Sequence, residues 1–168
     1  DIPAYVSQAT VAIEDKHFYT HSGIDWLGLV RAVVVGVSRG KRIQGTSTLT
    51  QQFVRNAILT TERTWQRKLK EIVLALQIER RYTKEQILPP YHNEIPYGST
   101  MYGIESAAHG YFGKAAKDLT LDEAALLAAI PQGPDLYSPY GTGSRGDNRK
   151  LLVGRQHYIL EQMAEQKY

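Results

Sequence analysis

Acidic, basic, imidazole and hydroxyl side chains gather in three short stretches of this sequence, and these are where chemistry would sit. The first runs Glu14-Asp15-Lys16-His17-Phe18-Tyr19-Thr20-His21-Ser22-Gly23, placing two adjacent carboxylates beside a lysine and an imidazole. A glutamate whose proton affinity is raised by burial would suit a general base near neutral pH. The plainer account is a solvated helix end, with His17 and His21 as surface or core residues. The two histidines stand four apart, as zinc ligands on one helical face do, but no third ligand is placed by sequence. The second stretch, Gln44-Gly45-Thr46-Ser47-Thr48-Leu49-Thr50-Gln51-Gln52, is a hydroxyl-rich loop running into a helix start. Backbone N–H groups exposed at the positive end of a helix dipole favour an anion. No GKS or GKT follows, so it is not a P-loop, and taken alone it reads as a capped helix. The third is Arg67-Lys68-Leu69-Lys70-Glu71. Arg67 and Glu71 are i,i+4, and Lys68 and Glu71 are i,i+3, so these groups share a helical face. A surface ion-pair ladder is the plain reading. A diphosphate clamp beside a second carboxylate is the functional one. Arg55 and Arg63 lie just upstream and would enlarge it, since arginine meets phosphate oxygens bidentately.

The elements that must carry these groups are helical. No alternation of apolar and polar residues is long enough for a strand. Asp25 caps an expected helix from Trp26 to about Ser38, stopped by Gly40, and Ser47 caps another through Leu59. Trp65 to Arg81 sets Leu69, Ile72, Val73, Leu76 and Ile78 on a broad apolar face. Thr83 with Gln86, and Thr120 with Glu123, form capping boxes. Tyr102 to Phe112 ends at Gly113, and Asp147 opens a last helix reaching Glu165. Breaks fall at Pro89-Pro90, at Pro96-Tyr97-Gly98 and over residues 131–146, a connector rather than a domain boundary. The expected fold is therefore one compact, almost all-α domain over 1–168.

Composition narrows the function classes. The 168 residues are 42% hydrophobic and 22% charged, enough apolar surface to offset ordering entropy by burial. A net charge of +3 leans toward anionic partners without selecting nucleic acid, phospholipid or a phosphorylated substrate. There is no cysteine, which excludes thiolate metal sites, disulfides and thiol nucleophiles. The longest mostly apolar stretch, Ile24 to Val37, is short and contains Arg31, so no signal peptide or spanning helix is expected. No nucleic-acid recognition motif appears.

Taken in order, the fragments resemble the glycosyltransferase family that polymerises bacterial peptidoglycan, the transglycosylase domain of bifunctional penicillin-binding proteins and of monofunctional transglycosylases. Glu14-Asp15 with Phe18 and His21-Ser22-Gly23 is similar to the family's first motif, and Gly45 with Ser47-Thr48-Leu49-Thr50-Gln51-Gln52 to its second. Arg67-Lys68 with Glu71 resembles the third, and Lys84-Glu85 with Ile87-Leu88, Tyr91 and Asn93 the fourth. Ala107-Ala108 with Tyr111-Phe112-Gly113-Lys114 resembles the segment after it. Each fragment is weak alone; five in order and at the right spacing are not.

The resemblance implies a mostly α, lysozyme-like, two-lobed fold with a small membrane-associated jaw, here roughly residues 24–60. It implies that lipid II, a disaccharide-peptide on undecaprenyl pyrophosphate, is acceptor and the growing glycan strand is donor. Glu14 would deprotonate the acceptor 4-hydroxyl for inverting attack, with undecaprenyl pyrophosphate released. Glu71 matches the second cleft carboxylate, which would orient a cationic clamp or help hold a divalent ion, Mg2+ or Mn2+, near the pyrophosphate. Arg55, Arg63, Arg67 and Lys68 are the clamp candidates, and Arg31, Ser47, Thr48, Gln51 and Gln52 the residues lining the cleft. Asn93 and Glu94 read as structural. In the jaw, Trp26, Leu27, Leu29, Val30 and Val33 to Val35 followed by Arg39, Lys41 and Arg42 suit an anionic interface. The implied location is the outer face of the bacterial cell membrane, with an anchor and a linked transpeptidase domain in a larger parent protein.

Four positions depart from the family pattern. Thr46 stands for a second glycine, Pro89-Pro90 interrupts the fourth motif, and His92 occupies a usually apolar position. Two prolines within a helix would cost about 3 kcal/mol or more each. These changes keep alive a domain that binds lipid-linked precursor or membrane without turnover. A lysozyme-like hydrolase would share the glutamate, but the cations near Glu71 serve no purpose with an uncharged leaving sugar.

Overall fold

The computed structural model describes residues 2–39, 46–59, 64–98, 100–139 and 148–168. They form α1 (Ala4–Glu14), α2 (Trp26–Arg39), α3 (Leu49–Ala57), α4 (Trp65–Arg81), α5 (Lys84–Glu94) and α6 (Ile104–Phe112). A 3-10 turn at Ala116–Asp118 leads to α7 (Leu121–Ala129), α8 (Pro134–Tyr137) and α9 (Arg149–Glu165). The only β feature among the described residues is a single bridge between Pro96 and Tyr102, so the all-α expectation holds. The chain divides into two compact units, residues 1–16 with 92–168, and residues 17–91. The described residues of the expected jaw fall in the second.

In the first unit α1 packs on α7 and α9. Val6, Ala9 and Ala12 of α1, Ala124, Ala125 and Ala128 of α7, and Leu152, Ile159 and Met163 of α9 are buried. Alanine on both α1 and α7 lets those helices approach closely. Thr120 and Glu123 close the expected capping box at the start of α7. Gly113 ends α6 in the left-handed conformation, φ 68°. That helix begins at Ile104, two residues later than expected, because Gly103 turns with φ +81° against the Asn93 backbone; a Cβ there would lie 2.7 Å from the Asn93 carbonyl oxygen. The expected opening of α9 at Asp147 lies outside the described residues.

In the second unit α3 packs on α4. Asp25 caps α2 as expected, its Oδ1 accepting the Gly28 N–H at 2.8 Å. The cap of α3 is Thr48 rather than Ser47. Spacing decides it: only from Thr48 does the third residue on, Gln51, carry a side chain able to return to the cap amide, which it does at 2.9 Å. Pro89 and Pro90 do not break α5, which runs through both. The carbonyls they leave without N–H partners belong to Glu85 and Gln86, whose residues are exposed, so water can meet them.

Candidate active site

Glu14 ends α1 in the first unit. The carbonyl end of a helix opposes a negative charge, and a cation answers it. Arg155 of α9 approaches with Nη2 3.3 Å from Glu14 Oε1, each side chain little exposed. Arg155 is itself held: its Nε donates to the Ala129 carbonyl at 3.1 Å, and its guanidinium stacks over Tyr137 at 5.2 Å. Asp15, next along, is buried and caps α1 through its N–H to the Val11 carbonyl.

Near the Glu14 unit's other end of α1, Ser7 Oγ lies 3.1 Å from His92 Nε2, and Tyr97 Oη 3.3 Å from His92 Nδ1. Burial holds the His92 imidazole neutral, pushing its pKa down to about 4, and raises that of Tyr97. Asn93 and Glu94 are exposed.

The remaining described candidates belong to the second unit. Glu71 is 1% exposed on α4, and Lys68, one turn earlier and largely open to solvent, pairs with its Oε1. The same ammonium donates to Ser47 Oγ at 3.0 Å. Ser47 immediately precedes the N-cap of α3, so a cation, a hydroxyl and a helix N-terminus lie together, an arrangement suited to phosphate oxygens. Thr48 is committed to structure: it caps α3 and donates to the Gly23 carbonyl at 2.8 Å. Gln51 is buried within the capping box, and buried Gln52 accepts from Tyr91 Oη at 3.4 Å. Arg67 lies one turn before Glu71, its Nε buried and without a hydrogen-bond partner. Arg55 sits in the last turn of α3 and Arg31 is exposed on α2. Arg63 lies outside the described residues.

The histidines are engaged singly. His17 Nδ1 lies 2.8 Å from Asp25 Oδ2, and His21 Nδ1 accepts the Gly23 N–H at 3.2 Å. Among the described residues no three His, Cys, Asp or Glu side chains are grouped to hold a metal. Glu71, with an ammonium already on its carboxylate, does not by itself fit a divalent ion.

Two charged groups on buried helical stripes, Arg155 and Glu79, were not singled out in the sequence. Arg155 lies beyond the last motif, yet it had a signal. Leu152, Arg155 and Ile159 stand at i, i+3 and i+7, which puts a cation on the buried stripe of α9. Glu79 repeats this on α4, four residues beyond buried Ala75 and eight beyond buried Glu71.

A family model described as Transglycosylase matches residues 1–164. The chain belongs to that family. This transglycosylase domain is 47% identical over 167 residues to penicillin-binding protein 1A of Aquifex aeolicus, covering 99% of the domain and 22% of that protein. It is 46% identical over 139 residues to penicillin-binding protein 1F of Bacillus subtilis, covering 83% and 20%. Penicillin-binding protein 2D of the same organism is 43% identical over 167 residues, 99% of the domain and 24% of the relative. The domain thus spans between 20% and 24% of the length of these three relatives. The resemblance drawn from the five motif fragments holds, and with it the class of enzyme, a peptidoglycan glycosyltransferase.

Proposed function

We propose that this transglycosylase domain polymerises lipid II by inverting transfer, with Glu14 as general base. The acceptor 4-hydroxyl is a weak nucleophile until its proton leaves. Glu14 takes that proton as the oxygen bonds to the donor anomeric carbon, and the bond from that carbon to the diphosphate breaks with its electron pair on the leaving group. Arg155 supports this reading by offsetting the helix end and orienting the carboxylate in its ionised form.

The observation that carries the reading is the Lys68 ammonium, shared between Ser47 Oγ and the buried Glu71 carboxylate beside the start of α3. A buried carboxylate that orients a solvent-facing ammonium produces a preset cation, and charge developing on a departing diphosphate is what such a cation stabilises. Arg67, Arg55, Arg63 and Arg31 extend the clamp in this reading, and Gln51 and Gln52 shape it through the packing of α3. No step is routed through a divalent ion.

The outer leaflet face of the bacterial membrane is the proposed working place, with lipid II and the growing strand as partners and a transpeptidase domain linked in the parent protein. No helix of the described residues is long and apolar enough to cross a membrane. α2 instead exposes Trp26 and Leu27, at 62% and 76%, with Val30 and Val34 further along, which suits shallow contact with a lipid surface.

Incubation with labelled lipid II in detergent, beside Glu14→Gln, tests the reading. Polymer from the parent chain and none from the variant is expected. Polymer from both removes Glu14 from its role, and bound lipid II with no product from either replaces the enzyme with a binding domain.

A further inference from the structure

A second buried carboxylate lies on the same face of α4 as Glu71, and the proposed reaction does not use it. Glu79 is nearly inaccessible, its side chain 3% exposed. Its Oε1 accepts from Thr50 Oγ1 and its Oε2 from Lys84 Nζ, each at 2.5 Å. The Lys84 ammonium also lies over the Phe18 ring, 4.4 Å from the centroid, and 3.5 Å from His21 Nδ1. Both side chains are little exposed, so removing either partner would leave the other's charge uncompensated.

From this pair a line of contacts leads to the anion-binding group. His21 Nδ1 accepts the Gly23 N–H, which fixes the turn after the first motif. Gly23 has φ +94°, and a Cβ on it would lie 3.1 Å from the carbonyl carbon and oxygen of Ala75, so the turn rests directly on the α4 backbone. Its carbonyl accepts from Thr48 Oγ1, and Thr48 caps α3 beside Ser47, the oxygen on which Lys68 rests. Glu71, Ala75 and Glu79 stand one turn apart on α4, so the Gly23 turn is seated between two carboxylates, each holding a lysine.

We infer that the Glu79–Lys84 pair is a positioning device for the Ser47–Lys68 group, acting through His21, Gly23 and Thr48. The inference rests on the diphosphate reading of that group given above. Without the pair, the turn loses its support on one side, Thr48 moves with Gly23, and Ser47 is withdrawn from Lys68. A shift of about 1 Å at a substrate-positioning group costs on the order of 100-fold in rate.

Four variants of the 168-residue chain test it. Glu79→Gln keeps the shape and removes the charge. Thr50→Val removes one hydrogen bond at constant volume and leaves both charges paired, so it decides the matter if Glu79→Gln does not fold. The expected result is a kcat/KM for lipid II lowered roughly 10- to 100-fold, beyond what any change in Tm accounts for, with the pH dependence of kcat unchanged because Glu14 is untouched. Lys84→Met is expected to show the same loss, and Lys84→Arg, which retains the charge, to keep most of the parent's activity. A fall in kcat in step with a lowered Tm, at unchanged KM, would overturn the inference and leave a fold-stabilising pair. NMR of the substrate-free chain separates this from failure of the functional reading. The Thr48 amide and Lys68 side-chain resonances are expected to shift in Thr50→Val whether or not the parent makes polymer. Unmoved resonances sink the positioning role on their own.

Discussion

Arg155 Nη2 stands 3.3 Å from Glu14 Oε1, so the carboxylate assigned as base carries its own counter-charge, supplied from the last helix of the chain. Removing one partner of a little-exposed pair leaves the other charge uncompensated, a loss of about 3 kcal/mol or more. Arg155→Met is expected to lower the unfolding free energy by about that much and to reduce polymerisation about 100-fold. Glu14→Gln with Arg155→Met recovers stability but no activity. A double-mutant cycle by chemical denaturation checks the coupling, and additive losses would remove it.

The Lys68–Ser47 contact predicts a different signature. Lys68→Met and Ser47→Ala weaken binding of the diphosphate substrate, Lys68→Met by about tenfold or more and Ser47→Ala by less, since a charged hydrogen bond is the stronger. Rising salt narrows the gap between parent and Lys68→Met, because screening removes what the substitution removes. Titration with lipid II at two ionic strengths measures both.

His92 gives acid sensitivity with a defined window. The unfolded imidazole takes its proton near 6.5, the folded one only at about 4. Between those values the unfolded state binds more protons, so stability is full above pH 6.5 and falls by up to about 3 kcal/mol as pH drops to 4. His92→Phe is expected to flatten the dependence of Tm on pH across that interval. Asp25 acts lower down. Burial works against its charge, but the Gly28 N–H and the His17 ring outweigh it and hold the carboxyl below its ordinary 3.8. Its contribution is therefore present above that value and lost as pH falls below it. Asp25→Asn is expected to lower stability above that value and to have little effect at the acid end of the titration.

The exposed apolar side of α2 predicts a partition experiment. Leu27→Asp and Val30→Asp are expected to weaken sedimentation with anionic phospholipid vesicles several-fold while leaving Tm unchanged, since both residues are open to solvent. Unchanged sedimentation would remove lipid contact from this helix.

Much of this was legible before any coordinates. Apolar residues at helical spacing and the Thr120–Glu123 box are local signals, and the bounds of α4 and the cap of α7 follow them. The expected apolar face of α4 nonetheless leaves Leu69 and Val73 exposed, and the residues that helix buries most fully are Glu71 and Ala75. Where expectation failed, a neighbour decided between local alternatives. Ser47 and Thr48 are equally good caps in isolation, and only Gln51 selects between them. The Pro89-Pro90 pair signals a break that α5 escapes, because the carbonyls it strands belong to exposed residues. The Glu14, Glu71 and Lys68 positions came from motif spacing. Arg155 and Glu79 did not, since a lone charge on an apolar helical stripe has a reason only when its distant partner is known.

That distance has a consequence for how the protein is made. Glu14 and Arg155 are separated by 141 positions, and the unit that joins them is assembled from the two ends of the chain around residues 17–91. During synthesis the intervening unit emerges whole, while α1 waits for α7 and α9, the helices it packs against. Glu14 gains its guanidinium partner only when α9 has left the ribosome. A translation product interrupted before α9 therefore carries the acidic motif without the cation that steadies it, so the Glu14–Arg155 pairing itself registers that synthesis has passed α9.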